Sequence, residues 1–337
     1  MPLRDAMQST RGFSVLIAAF SALPMAQLAS AQDYPLKSLR IVTAEPGGGN
    51  DFAARLIAQG LSGELGQRVL VDNRGISAAE IAAKAPADGY TLLLYGNPLW
   101  LLPLLRGTAT YDAVRDFSAI TVAATSPLVV VVHPSLPVKS IGELIRLARA
   151  RPGSLNYGSG GAGSTPHLAV ELFKSMAAVD IVRVPYKGNA QSLNDLIAGQ
   201  VQLMFTTSGP VWPHVRTGRL RALAVTGAAP SPLAPGLPTV AAAGLPGYEA
   251  ASVYGVFAPA GTPAALIARL NREIVRLLAR PEVREKFLGS GVETVGSSAD
   301  QLAAMVKAEI AKWGRVIRDA GIRDERSEEH TSELQSH

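Results

Sequence analysis

The sequence predicts an α/β protein built as two domains of similar design, and three observations predict it. Short apolar segments alternate with amphipathic helical ones from Gln32 onward, the rhythm of βα units with helices on both faces of a sheet. That rhythm runs once through the first third of the chain and again from about residue 155 to Val225, with no internal repeat of fixed period. The 337 residues suffice for two domains with cores of their own.

Composition narrows the chemistry. There is no cysteine, which excludes disulfides and thiolate metal sites. The formal net charge is +5, but the positive residues are scattered and no Lys/Arg run interleaves with aromatics, so nucleic acid is not expected as a partner. At the N-terminus, Arg4 and Arg11 precede an apolar stretch (13–23), Pro24 breaks it, and Ala29-Ser30-Ala31 forms a cleavage site. The apolar stretch is short for a membrane span. The expectation is a signal peptide over 1–31 and a mature chain from Gln32 in an exported compartment. The polar residues 324–337 read as a non-native tail after a native end near Arg323, and their histidines are left out of the reasoning.

The elements follow in order. Leu39–Thr43 is a short strand, and Pro46-Gly-Gly-Gly49 is its turn. Asn50 or Asp51 caps a helix in which Phe52, Leu56, Ile57 and Leu61 recur at helical spacing. Residues 69–72 are a strand, 76–84 a short helix, and 91–95 a continuous apolar strand typical of a parallel sheet. Two apolar runs follow, 120–124 and 128–132. Ser140-Ile-Gly-Glu143 is a capping box opening a helix through Ala150. A strand from Leu155 leads through Gly158-Ser-Gly-Gly-Ala-Gly163 into a helix that Ser164 or Thr165 can cap, with Pro166 in its first turn. Strands over 181–184, 201–206 and 220–225 alternate with helices over 190–198 and 211–217. Residues 228–247 read as an irregular connection, and 251–257 as a strand. Thr262-Pro263 starts a helix to Leu278, Pro281 starts another, and Ser298-Ala-Asp-Gln301 is a capping box for the last.

The glycine-rich loop presents backbone N–H groups at a helix N-terminus, which together bind an anion without a charged side chain. A second such element stands at Glu45-Pro-Gly-Gly-Gly-Asn-Asp51. Gly158 to Gly163 matches G-x-G-x-x-G, but no acidic residue closes the next strand, which ends Val184-Pro-Tyr186, so a dinucleotide is disfavoured. A phosphate loop would need Gly-Lys-Ser/Thr. Ser159 lacks the nucleophile elbow because Tyr157 holds the first glycine position, and His167 reads more readily as a residue that packs or orients the loop than as a base. His133, His167 and His214 form no zinc pattern. No catalytic constellation, metal site or cofactor is expected. What remains is a crevice at strand C-termini between two domains, suited to a carboxylate. Lys187 reads equally as added charge or as a solvated turn lysine.

At Tyr34-Pro35, Pro46-Gly-Gly-Gly-Asn-Asp51, Val71-Asp-Asn-Arg74, Asp88-Gly-Tyr-Thr-Leu-Leu93, His133-Pro-Ser-Leu-Pro137, Leu155-Asn-Tyr-Gly-Ser-Gly160, Val184-Pro-Tyr-Lys-Gly188, Leu220-Arg-Ala-Leu-Ala-Val225, Gly244-Leu-Pro-Gly-Tyr248 and Phe257-Ala-Pro-Ala-Gly-Thr-Pro263, the chain resembles the Bug-type periplasmic solute receptors of tripartite tricarboxylate transporters. The resemblance covers Tyr34 to about Arg323. It implies a two-domain type II periplasmic-binding-protein fold with the ligand in the interdomain cleft. It implies a receptor rather than an enzyme, with a small organic carboxylate as ligand and transient contact with transporter membrane subunits. First-domain contacts fall by that pattern at Gly48, Gly49 and Asp51 and in the loop after Tyr95, at Asn97. Second-domain contacts fall at Ser159, Gly160, Ser164, Thr165 and His167, with Tyr186, Lys187 and Thr206 nearby.

Two departures from the family pattern matter. Gly75-Ile-Ser-Ala-Ala replaces a longer, glycine-rich loop after Arg74, which puts in question how that loop closes over the ligand. Thr206 and Thr207 stand where many relatives have an Asp suited to an amino group, which favours a plain carboxylate over an amino acid. The expected domains are 32–130 plus 255–323, and 131–254, with hinges near Leu128 and Tyr254 and the chain a monomer. A ligand sensor for a membrane signalling protein and an exported serine hydrolase are the competing functions.

Overall fold

Three parallel strands build the first half around the most apolar segments. β1 (Leu39–Thr43) lies between β2 (Val69–Asn73) and β3 (Thr91–Gly96), in register with both. All six residues of β3 are buried, so both faces of the sheet need cover. On one face lie α1 (Gly49–Leu65), α8 (Ala264–Leu278) and α9 (Pro281–Gly289), which supply Ile57, Leu61, Leu270, Ile274 and Phe287. On the other lie α2 (Ala78–Ala83), α3 (Pro98–Arg106) and α10 (Ala299–Asp319), with Leu99, Trp100 and Trp313. This computed structural model describes residues 34–106, 110–160, 163–186 and 188–322. The predicted signal peptide, Lys187 and the predicted tail lie outside the described residues.

β4 (Phe117–Val132) joins the two halves. Through Pro127 it runs antiparallel to β9 (Ala251–Pro259), which also pairs antiparallel with β3. From Leu128 it pairs instead with β7 (Leu203–Thr207) and β8 (Arg221–Val225). The second half adds β5 (Asn156–Ser159), parallel to β7 and to the edge strand β6 (Val182–Pro185). Its helices are α4 (Ile141–Ala150), α5 (Thr165–Ala177), α6 (Asn189–Ile197) and α7 (Ser208–Arg216). A two-residue strand, β10 (Glu293–Thr294), pairs with β4 in the first half. One apolar cluster runs across both halves, from Leu93, Trp100 and Phe257 to Val130, Tyr157 and Phe173.

At the crossover the backbone is tied closely. Leu128 N–H donates to Thr226 Oγ1 at 2.8 Å, Thr226 N–H returns to Leu128 O at 2.9 Å, and Ala250 N–H donates to Thr226 O at 2.9 Å. Ala251 then pairs with Pro127. The return crossing therefore stands three residues before Tyr254.

Several local expectations need correction. The apolar runs 120–124 and 128–132 are one strand. Pro127 interrupts the pattern but stands where the strand changes sheets, a place where a missing N–H is tolerated. The strand 91–95 has a parallel neighbour on one side only. Residues 76–84 split into a 3-10 turn (Gly75–Ser77) and α2. The predicted helix 211–217 begins earlier, at Ser208. Gly48, not Asn50 or Asp51, caps α1. Ser140 accepts from Glu143 N–H, but Glu143 takes Lys139 N–H, one residue upstream of a true box. Thr262 bonds back to Pro259 O rather than capping α8. The Ser298–Gln301 box is complete.

Candidate functional site

Because β1 and β3 run parallel in one half, and β5, β6 and β7 in the other, each half brings its strand-to-helix loops to one edge. Two of these loops share one construction. In the first, Gly47 has a left-handed φ of 84°, Gly48 is the extended cap of α1, and Asp51 at the third helical position reaches back to accept Gly47 N–H at 2.9 Å. In the second, Gly163 has a φ of 73°, Ser164 is the extended cap of α5, and His167 at the third position accepts Gly163 N–H on Nδ1 at 3.0 Å. The positive φ turns the chain sharply into the helix, a conformation that suits glycine. The reach-back consumes the N–H before the cap, and the first-turn N–H groups have no intrahelical acceptor: Gly49, Asn50 and Asp51 in α1 and, because Pro166 has none, Thr165 and His167 in α5. Each loop also holds one buried side-chain oxygen without a partner, Asn50 Oδ1 in the first and Ser164 Oγ in the second.

The loops differ in charge. Asp51 is buried and also accepts from Asn73 Nδ2 and Arg55 Nε, each at 2.9 Å. Burial alone would raise its pKa, but the bonds from Arg55, Gly47 and Asn73 and the charge of Arg55 together hold its carboxyl below the usual range. The first loop thus holds an ionised carboxylate, paired with Arg55, at its helix start. In the second loop the Nδ1 that accepts an N–H carries no proton, so a neutral imidazole stands in the equivalent place. Behind that loop, Arg183 on β6 donates from Nε to Ser159 Oγ at 3.0 Å and from Nη2 to Gly160 O at 2.8 Å.

The remaining expected residues fall into distinct settings. Gly49 lies under Tyr254, whose hydroxyl would overlap any Cβ there, and burial raises the Tyr254 phenol. Asn97 is buried and spends both ends of its amide on β9, donating to Ala251 O at 3.2 Å and accepting from Val253 N–H at 2.7 Å. Its side chain therefore clamps the strand that returns from the crossover. Tyr186 gives its N–H to Ser159 O and its hydroxyl to Asp195, and its phenol is pushed up to about 12 by burial and by that bond. Thr165 is the first residue of α5, and Thr206 is buried at the end of β7 opposite Val129. The short loop after Arg74 is held by Tyr95, whose hydroxyl donates to Gly75 O at 3.2 Å, and it leaves Ile76 exposed.

The halves also touch near the site. Leu105 of α3 packs on the Gly163 turn, where a Cβ would meet its Cδ1 at 2.5 Å. Arg183, Asn73 and Leu105 were not expected at the site, and Tyr254 was expected only as a hinge position. Arg183 left a signal, a charge inside the apolar segment Ile181-Val-Arg-Val184, and Gly163 left another in its place before a helix cap. Leu105 left none, because it contacts residues distant in sequence. A surface depression of about 660 Å³ lies at the far end of α5, among Arg149, Lys174 and Asp319. Both cations there are engaged, Arg149 with Ala177 O and Lys174 with Glu171, so that depression offers an anion little.

Comparison with known proteins gives a consistent picture. The profile described as tripartite tricarboxylate transporter family receptor matches residues 53–322. Protein BugT of Bordetella pertussis is 35% identical over 322 residues, 94% of this chain and 99% of its own. The structure of R. palustris Rpa4515 with adipate is 41% identical, with a TM-score of 0.69 over 86% of this chain and 99% of that one. MatC from Rhodopseudomonas palustris, with bound malate, is 27% identical, with a TM-score of 0.65 over 84% of this chain and 100% of its own.

Proposed function

The chain belongs to the tripartite tricarboxylate transporter receptor family, and from that premise we propose that it captures a small organic dicarboxylate between its two helix-start loops. The observation that carries this reading is the pairing of those loops. Each offers N–H groups at a helix N-terminus, and in the second loop the buried, unpartnered Ser164 hydroxyl can also donate. An anion held this way needs few charged side chains and leaves little trace in the sequence. The relatives that hold adipate and malate support the chemical class.

In this reading Gly48, Gly49 and Asp51 shape the first-domain loop, and Ser159, Gly160, Ser164, Thr165 and His167 shape the second, with Tyr186, Lys187 and Thr206 beside it. Asn97 acts on the hinge rather than on the ligand. The lobes close about Pro127–Leu128 and Thr226/Ala250–Ala251, and the closed form is read by the membrane subunits of the transporter. The protein acts as a monomer in the periplasm after removal of residues 1–31. Among the described residues no helix is long and apolar enough to cross a membrane. We read it as a receptor and not an enzyme, because the groups a hydrolase would need serve the loop. The nitrogen of His167 that accepts Gly163 N–H cannot also take a proton from a serine.

Native mass spectrometry of the protein as purified tests the proposal. The expected result is a retained small diacid that is lost on denaturation. Retention of a neutral sugar or an amino acid would overturn it.

A further inference from the structure

We propose that Arg183 is the positioning residue of the second-domain loop and makes that loop the one that selects an ionised over a neutral end group. The inference rests on the carboxylate reading above and assigns its charge selectivity to one lobe.

Arg183 lies across from Tyr157 in the β5–β6 ladder, so its side chain runs along the sheet toward the end of β5. Two of its nitrogens grip consecutive residues of the loop, Ser159 through Oγ and Gly160 through its carbonyl. The planar guanidinium forms this pair of bonds with little rotamer freedom left to lose, which a lysine ammonium cannot reproduce. The grip has two consequences. Ser159 is fully buried, its Oγ accepts from the guanidinium and its own proton makes a long 3.3 Å contact with Gly160 O, so the grip fixes the end of β5 where the loop begins. Drawing the Gly160 carbonyl back onto Arg183 also keeps that oxygen from facing an anion.

The charge pattern points the same way. At the third helical position the first loop holds the carboxylate of Asp51, which is paired with Arg55 and answers part of the partial charge of α1. The second loop holds the neutral acceptor of His167 there, and Arg183 behind it. Two loops of one construction thus differ in the charge beside their helix starts, an Asp51–Arg55 ion pair at the first and the Arg183 cation behind the second, and the charged end of a ligand is favoured at the second.

The test compares diacids with their neutral diamides. Wild type is first titrated calorimetrically with succinate, malate and adipate, and the best binder is then compared with its diamide in wild type, R183Q and R183K. Arg183→Gln keeps a donor but removes the charge; Arg183→Lys keeps the charge but loses the paired grip. The expected result is a roughly ten- to hundredfold loss of diacid affinity in R183Q, the size expected for removing a charge several ångströms away at an effective dielectric of about 20. Diamide affinity changes less than about twofold, and R183K keeps most of the preference for the diacid. Equal losses for diacid and diamide in R183Q would mean a merely structural role, and an unchanged preference would mean that the charge acts elsewhere; either overturns the proposal. If R183Q does not fold, R183K decides: a preference for the diacid reduced but not lost upholds the proposal, and a preference unchanged from wild type or abolished overturns it. Failure of wild type to bind any of the three acids would instead refute the carboxylate reading itself.

Discussion

Replacing Asp51 with alanine removes the acceptor around which the first loop is folded. Its two oxygens take Gly47 N–H, Asn73 Nδ2 and Arg55 Nε, each at 2.9 Å. Arg55 is more than half exposed, so its bond is screened and is discounted to under about 1 kcal/mol. The other two are bonds to a buried carboxylate, each contributing roughly 1.5 kcal/mol or more. Asp51→Ala should therefore cost roughly 3–4 kcal/mol near neutral pH, and Asp51→Asn, which keeps one acceptor oxygen, about half of that. The pKa of Asp51 is lower in the folded chain than in the unfolded one, so its contribution is complete above the unfolded value and is lost as pH falls through the folded value. The gap between wild type and Asp51→Ala should be full at neutral pH and should shrink below about pH 4. Urea unfolding followed by circular dichroism, at neutral pH and near pH 3, measures it. A gap under about 1 kcal/mol at neutral pH, or one that widens in acid, would refute the reasoning.

Gly163→Ala forces a side chain onto a φ of 73° and into Leu105, and should cost about 1–3 kcal/mol in chemical denaturation. Adding Leu105→Ala should recover only the steric part, so full recovery in the double variant would show that the backbone is not strained. Asn97→Ala strands a buried carbonyl and a buried N–H of β9, and should destabilise the fold by roughly 1–3 kcal/mol while leaving the carboxylate selectivity of the bound state unchanged. A calorimetric change in ligand ranking would return Asn97 to the ligand shell. Ser298→Ala removes one side of a complete capping box and should cost about 0.5–2 kcal/mol in thermal or urea unfolding, with no effect on binding.

Much of the fold could be read from sequence because local signals carried it. β1 follows from Leu39, Ile41 and Val42 between turn residues, and the last helix from Ser298 and Gln301. The errors arose where a long-range contact decides. Asp51 looks like a cap from its position beside Asn50, but Asn73, twenty-two residues away, and Gly47 hold it at the third helical position instead. Apolar periodicity marks 91–96 as buried but says nothing of strand direction, so β9 as an antiparallel neighbour was not foreseen. Of the site, the two glycine loops were legible as helix-start turns. Their shared reach-back was not, because Asp51 and His167 are chemically unlike and only their hydrogen bonds reveal that they do the same thing. Asn97 was expected at the ligand from the loop it occupies, and its amide is spent on the backbone of Ala251 and Val253.

The central claim is that two helix-start loops of one construction close on one diacid. Small-angle X-ray scattering of the ligand-stripped chain, with and without adipate, tests it most directly. Hinge closure predicts that the radius of gyration falls on adding adipate and stays unchanged on adding adipamide. An equal contraction with both, or none with adipate, succinate and malate alike, would contradict the account.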